Sequence, residues 1–166
     1  AISAPEDPSV AAYVVDLRVR PDDVRSDDQR PAGERSDGER SGVGALHELY
    51  EIAAATEPSF ETKRSRVLEL GRGRLGLPYG FVTRITEDTQ TIVAATGDHD
   101  LLQPGESCPI EESYCRKTIR SEGLLALFDA AEEAFAADPA YDRFGLGCYI
   151  GGKLVVDGEL YGTMCF

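Results

Sequence analysis

The chain has 166 residues, 42% of them hydrophobic, which suffices for one domain with a sizeable core and leaves no room for a second. A net charge of −13 excludes a binder of phosphate backbones, because such binding needs clustered Lys and Arg to release counterions. No apolar run reaches the roughly 20 residues of a membrane helix, and the first residues lack the basic and apolar regions of a signal peptide, so a soluble, cytoplasmic chain is expected.

The acidic residues are spread along the whole chain, and Lys occurs only at Lys63, Lys117 and Lys153. An acidic, Lys-poor surface is the composition that keeps proteins of extreme halophiles hydrated in concentrated salt. Four cysteines, Cys108, Cys115, Cys148 and Cys165, are too few and too widely spaced for a secreted disulfide framework. They form no CxxC pair, and His47 and His99 stand apart from them. Neither a metal site nor a cofactor is therefore expected.

Ala12 to Val19 alternates enough for one strand, either an arm of the main sheet or the tail of a preceding domain occupying residues 1–20. Residues 21–42 mix charges of both signs with Pro, Gly and Ser. With almost no large apolar side chain they do not offset the entropy of ordering, and they read as a flexible linker. From Val43 the pattern changes. Leu46, Leu49, Tyr50 and Ala53 form one stripe on a helix from Val43 to Ala55. Ser59 is placed to cap a second helix carrying Phe60, Val67, Leu68 and Leu75, closed by the Gly-rich run that follows. Phe81 to Thr86 and Thr89 to Thr96 are rich in β-branched residues and read as a strand pair about Glu87 and Asp88. A polar loop, a helix over Ser113 to Arg120, a strand over Leu124 to Phe128 and a helical turn over Tyr141 to Phe144 come next. The chain closes with a hairpin, Cys148 to Val156 and Leu160 to Phe166, turning at Asp157 and Gly158. This order predicts an α+β domain with a mostly antiparallel central sheet flanked by helices.

Three segments in this order, SYCRKTIRSEGLLALFDA, DPAYDRFGLGCYIGGKL and VVDGELYGTMCF, resemble the GAF family over residues 43–166. The nearest subset is the GAF domain of bacterioopsin-activator-like regulators of haloarchaea, in which a PAS domain often precedes and a helix-turn-helix domain follows. The resemblance implies a PAS-like and GAF-like sheet, and a sensory module that binds a small molecule or reads redox state and passes the signal to an output domain. A GAF domain normally continues past its last hairpin, so truncation after Phe166 is expected. Neither the Asn-Lys and Asp-Glu signature of cyclic-nucleotide binding nor the Cys-His of bilin attachment occurs, and the ligand stays open.

The segments that flank the family's pocket supply the candidate residues Cys108, Tyr114, Cys115, Phe128, Asp129, Tyr141, Phe144, Cys148, Tyr149 and Cys165. Cys115, in the first turn of a predicted helix beside Arg116 and Lys117, has the setting that favours a thiolate. As unpaired thiols, Cys108 and Cys115 are either small packing residues or redox-active contacts. If the final hairpin turns on Asp157 and Gly158 alone, Ile150 faces Cys165, Leu154 faces Tyr161, and Cys148 is a diagonal neighbour of Cys165. Asp129 either binds a ligand or caps a turn, and His99 lies in a polar loop. No residue set reads as catalytic. The domain is expected not to be an enzyme; the rivals are a pocketless dimerisation module and a thiol-dependent methionine sulfoxide reductase of GAF type. Expected partners are an unknown small molecule and a second copy through the N-terminal helix, with neither nucleic acid nor membrane.

Overall fold

Two runs of β-branched residues, each folding back on a two-residue turn, make the middle of the sheet. β2 (Gly80–Thr86) and β3 (Thr89–Thr96) join at Glu87–Asp88, with Glu87 at φ 55. β6 (Tyr149–Val156) and β7 (Glu159–Cys165) join at Asp157–Gly158, where both φ values are positive, as an Asp-Gly hairpin turn requires. The computed structural model describes residues 14–15, 34–132 and 135–166. Within them a seven-stranded sheet runs in the order β1 (Val14–Val15), β6, β7, β2, β3, β4 (Ser107–Pro109), with β5 (Leu125–Leu127) also paired to β6. Every pairing is antiparallel, so the chain is an α+β domain of the class predicted. Val14 and Val15 lie against Val155 and Leu154; the rest of the predicted strand over Ala12 to Val19, and residues 21–33, lie outside the described residues.

The final hairpin corrects the predicted register. Val156 pairs with Glu159 and Val155 with Leu160, as an ideal two-residue turn demands, but a bulge follows and Leu154 pairs with Gly162. Cys165 therefore lies opposite Gly151 rather than Ile150. One inserted residue moves every later side chain by one position on the partner strand. Cys165 thereby shares its face with Tyr149, not with Cys148.

The sheet carries a cluster on each face, and a bulge between the Val82–Ala94 and Thr83–Ile92 pairs breaks the period of two so that Ile92 and Ala94 point to opposite sides. Phe81, Ile92, Tyr149 and Cys165 contribute to one, together with residues from the 102–144 segment; Val82, Ala94 and Leu154 build the other with Leu68. That second face is covered by α2 (Phe60–Leu75), against which α1 (Glu34–Ala54) lies. Ser59 caps α2 as predicted, its Oγ accepting from the Thr62 N–H at 3.2 Å, and Gly76 ends it in the left-handed conformation at φ 65. Leu68, fully buried, anchors α2; truncating such a side chain to Ala costs about 2–5 kcal/mol. The ring of Phe166 fills the slot that the missing side chains of Gly71 and Gly80 leave between α2 and the sheet, since a Cβ at either position would overlap it.

α1 starts at Glu34, nine residues before the expected Val43. The Glu and Arg residues of 34–42 are good helix formers, and extending an existing helix avoids the nucleation cost, so the segment forms helix without the apolar side chains whose absence made it read as linker. On the first face, Ser113 to Arg120 contracts to the single turn α3 (Cys115–Thr118), preceded by a 3-10 turn at Ile110–Glu112. The predicted helical turn is α4 (Pro139–Phe144), with Pro139 at its first position and Asp138 capping it through the Ala140 N–H at 2.9 Å.

Candidate functional site

Hydroxyl and thiol groups gather inside the first-face core where hydrocarbon would be the default. Thr83 on β2, Thr163 and Cys165 on β7, Tyr149 on β6, and Cys115 and Thr118 on α3 are each at most 2% exposed. Oγ1 of Thr83 and Thr163 share a hydrogen bond of 2.7 Å across the two strands, and the Thr163 N–H donates to Thr83 Oγ1 at 3.1 Å. The Tyr149 hydroxyl lies 2.7 Å from Thr118 Oγ1 and 3.1 Å from Cys165 Sγ. Cys115 Sγ lies 3.1 Å from Thr163 Oγ1 and 4.0 Å from Cys165 Sγ. Each group finds a partner, which keeps the cost of its burial tolerable.

These contacts set the order in which the thiols ionise. Cys115 is drawn down to about 7, chiefly by its hydrogen bond with Cys165; burial opposes the shift, and the Thr163 and Tyr149 hydroxyls reinforce it. Burial pushes Cys165 and Tyr149 well above their ordinary values. Either sulfur can donate in their 4.0 Å contact, and the two shifts run in opposite directions, down for Cys115 and up for Cys165. The lowered value agrees with the sequence expectation, but its cause differs. Arg116 and Lys117 turn to the carboxylate of Asp138, at 2.7 and 2.9 Å. Burial raises the Asp138 carboxyl, but hydrogen bonds from Arg116, Lys117 and the Ala140 N–H outweigh it, and the net direction is down.

Two small cavities flank this cluster. One is lined by Phe81, Leu102, Tyr114, Cys115, Leu146 and Tyr149, the other by Ile92, Leu101, Glu106, Cys108 and Arg143, and both by Gln90 and Phe144. Each offers about 10 Å³ to the centre of a water-sized sphere, the room of one water. Gln90 is 2% exposed, and its Oε1 has no hydrogen-bond partner among the described residues. The 139–147 segment over both cavities is tied by the Arg143–Glu112 ion pair at 2.6 Å, by the Ala130 N–H donating to the Gly147 carbonyl at 2.7 Å, and by two side-chain hydrogen bonds. His99 Nδ1 accepts the Leu101 N–H at 3.2 Å, so Nε2 carries the proton it donates to the Phe144 carbonyl at 3.0 Å. The Tyr114 hydroxyl, whose pKa burial raises to about 12, donates to the Leu146 carbonyl at 3.3 Å.

Seven of the ten residues singled out from the sequence belong to this one cluster: Cys108, Tyr114, Cys115, Phe144, Tyr149 and Cys165 in its interior, and Tyr141 half-buried against it. Three do not. Phe128 is 80% exposed, because it follows Leu127 on β5 and Leu127 is the side chain that points inward. Asp129 is exposed and its Oδ1 accepts from the N–H groups of Ala131 and Glu132 at 3.1 and 3.3 Å, a turn cap. Cys148 is exposed ahead of β6, with Sγ donating to the Phe128 carbonyl at 2.8 Å. Gln90 was missed, although the period of two puts it in phase with the buried Ile92. Among the described residues no His, Cys, Asp or Glu group could hold a metal ion, and no helix is long and apolar enough to cross a membrane.

No family model and no curated protein matches the chain. Solved structures do. The chain is similar to the GAF domain of nlh2 from A. aeolicus in an inactive state, with a TM-score of 0.57 and 19% identity over 76% of this chain and 78% of that one. The fold is that of GAF domains. The phycocyanobilin-bound GAF domain of a cyanobacterial phytochrome aligns with a TM-score of 0.57 and 13% identity, over 73% of this chain and 78% of that one. Free methionine-R-sulfoxide reductase from Neisseria meningitidis, in complex with its substrate, aligns with a TM-score of 0.55 and 12% identity, over 73% and 68% of the two chains. One GAF architecture thus carries a pigment in one neighbour and an enzyme's substrate in another, and function must be argued from the site.

Proposed function

We propose that this GAF domain is the sensory part of a signalling protein and binds a small polar molecule between the sheet and the 139–147 segment. The observation that carries this reading is Gln90. A side-chain amide buried to this degree with its carbonyl oxygen unpartnered costs about 1–3 kcal/mol, a cost that a ligand bearing an N–H or O–H donor removes. The oxygen belongs to the one side chain that, with Phe144, borders both cavities. Entry displaces Phe144 and Leu146, whose segment is tied down by the His99 and Tyr114 hydrogen bonds, and the two small cavities merge.

Differential binding to two arrangements of this segment suffices for a signal, so the domain needs no catalytic group and is proposed not to be an enzyme. The acidic, Lys-poor composition and the segments resembling bacterioopsin-activator-like regulators support a place in a haloarchaeal, cytoplasmic transcription regulator. Leu46 and Tyr50, 62% and 71% exposed and one turn apart on α1, support a homodimer through that helix. In such an arrangement residues 43–166 form the sensor, with Val14–Val15 added to its sheet beside β6.

Incubation with a metabolite extract followed by native mass spectrometry tests the ligand reading. The expected result is an adduct of one defined mass that is lost in Gln90→Leu. Absence of any adduct, or one of undiminished occupancy in that variant, overturns it and leaves a dimerisation module.

A further inference from the structure

We propose that Cys115 and Cys165 are a redox-active pair that closes to a disulfide on reaction with a hydroperoxide. The inference is independent of ligand binding at Gln90. Its geometric basis is the 4.0 Å between the two sulfurs, which come from α3 and β7 and lie 50 residues apart in the chain. A disulfide requires about 2.05 Å between sulfurs. Closing the remaining gap falls to the single turn of α3, since β7 is held by ladders to β6 and β2 on both sides.

The surroundings are those of a reacting thiol rather than of a packing residue. A cysteine that merely fills space sits among hydrocarbon, whereas Cys115 has a hydroxyl on Thr163, a second on Tyr149 and a thiol on Cys165 within reach. These donors hold its sulfur in the thiolate direction, the form that attacks peroxide. Cys115 also lines a cavity of the size of one water, bordered by the half-buried Leu146. Hydrogen peroxide, the smallest hydroperoxide, reaches the sulfur when that border opens locally, while bulkier oxidants and disulfides are kept out.

The chemistry balances in two steps. The Cys115 thiolate attacks one peroxide oxygen, forming an S–O bond as the O–O bond breaks, and the departing hydroxide takes up the thiol's proton as water. Cys165 then attacks the sulfenic sulfur of Cys115, the S–S bond forms as the S–O bond breaks, and the second hydroxide leaves as water with the Cys165 proton. Two thiols are oxidised by two electrons and one hydrogen peroxide is reduced to two waters. An external dithiol reverses the reaction. The product ties α3 to the sheet and leaves the Cys165 sulfur only an acceptor toward Tyr149, so the wall of the cavity changes with redox state.

The reduced full chain is treated with hydrogen peroxide, denatured, alkylated and mapped by mass spectrometry. Two of the four thiols are expected to escape alkylation, in one cross-link between the peptides of Cys115 and Cys165 that dithiothreitol reverses. The doubly substituted Cys108→Ser, Cys148→Ser chain, which keeps only the proposed pair, is expected to form the same link. The proposal is overturned if that chain retains two free thiols or is driven only to sulfinic acid, or if the link in the unsubstituted chain joins Cys115 to Cys108.

Discussion

The hydroxyl of Tyr149 reaches Cys165 Sγ, at 3.1 Å, across the position where Gly151 has no side chain. Gly151 pairs with Cys165 on the neighbouring strand, and a Cβ there would occupy the space of the phenol. The polar cluster in the core therefore depends on an absent methyl group as much as on the groups that are present.

Adding that methyl tests the dependence. Gly151→Ala is expected to destabilise the domain by about 1–3 kcal/mol, the usual range for overpacking, and to free the phenol from Cys165. Gly162→Ala is expected to cost about 3 kcal/mol or more. There the new Cβ meets the backbone carbonyl of Thr83, and relief requires β7 to part from β2. Urea denaturation of the two variants checks the order; a Gly151 variant as costly as the Gly162 one contradicts the account.

Asp138 predicts an acid-sensitive contribution to stability. Its folded pKa lies below the ordinary value, so the contribution is complete above the unfolded pKa of about 3.9 and disappears as pH falls through the lower folded value. Stability measured by denaturant titration is expected to drop over that window in the unsubstituted chain and to lose this component in Asp138→Asn. At neutral pH that substitution is expected to cost about 2–3 kcal/mol, less than for a fully enclosed pair because Lys117 is partly exposed.

The thiols are expected to label in an order that separates acidity from access. Cys148 is exposed, whereas Cys108, Cys115 and Cys165 are buried, so a bulky maleimide at limiting concentration should modify Cys148 first. Roughly 100-fold protection of Cys115 requires an opening free energy of only about 2.7 kcal/mol. Peptide mapping in which Cys115 labels as fast as Cys148 contradicts the burial described here.

The reach of sequence reasoning differs between periodicity and register. Alternation and turn chemistry located β2, β3, β6, β7 and both of their turns, since Asp157–Gly158 and the β-branched runs are local signals. The hairpin bulge has no such signal. Tyr161 is an ordinary strand residue, and the extra residue is accommodated because Gly162 lets β7 close against Thr83. That slip replaced Cys148 with Tyr149 as the neighbour of Cys165 and hid the thiol pair. β4 was read as loop because three residues ending in Pro carry no period, and the role of Asp138 was not legible because its cations lie 21 and 22 residues away in the chain. Gln90 is polar in an apolar phase, and the mismatch itself was the overlooked signal.

Cys165 and Phe166 are consecutive residues on opposite sides of the sheet, one thiol within the polar cluster and one ring keyed between Gly71 of α2 and Gly80 of β2. The Phe166 backbone is bonded in both directions to Ile150, at 2.8 and 2.9 Å, so it does not swivel independently of β6. The same strand pairing therefore positions both the sulfur and the ring. The thiol cluster on the side of α3 and the ring seated against α2 thus share one strand end, where consecutive residues tie the two cores of the domain together.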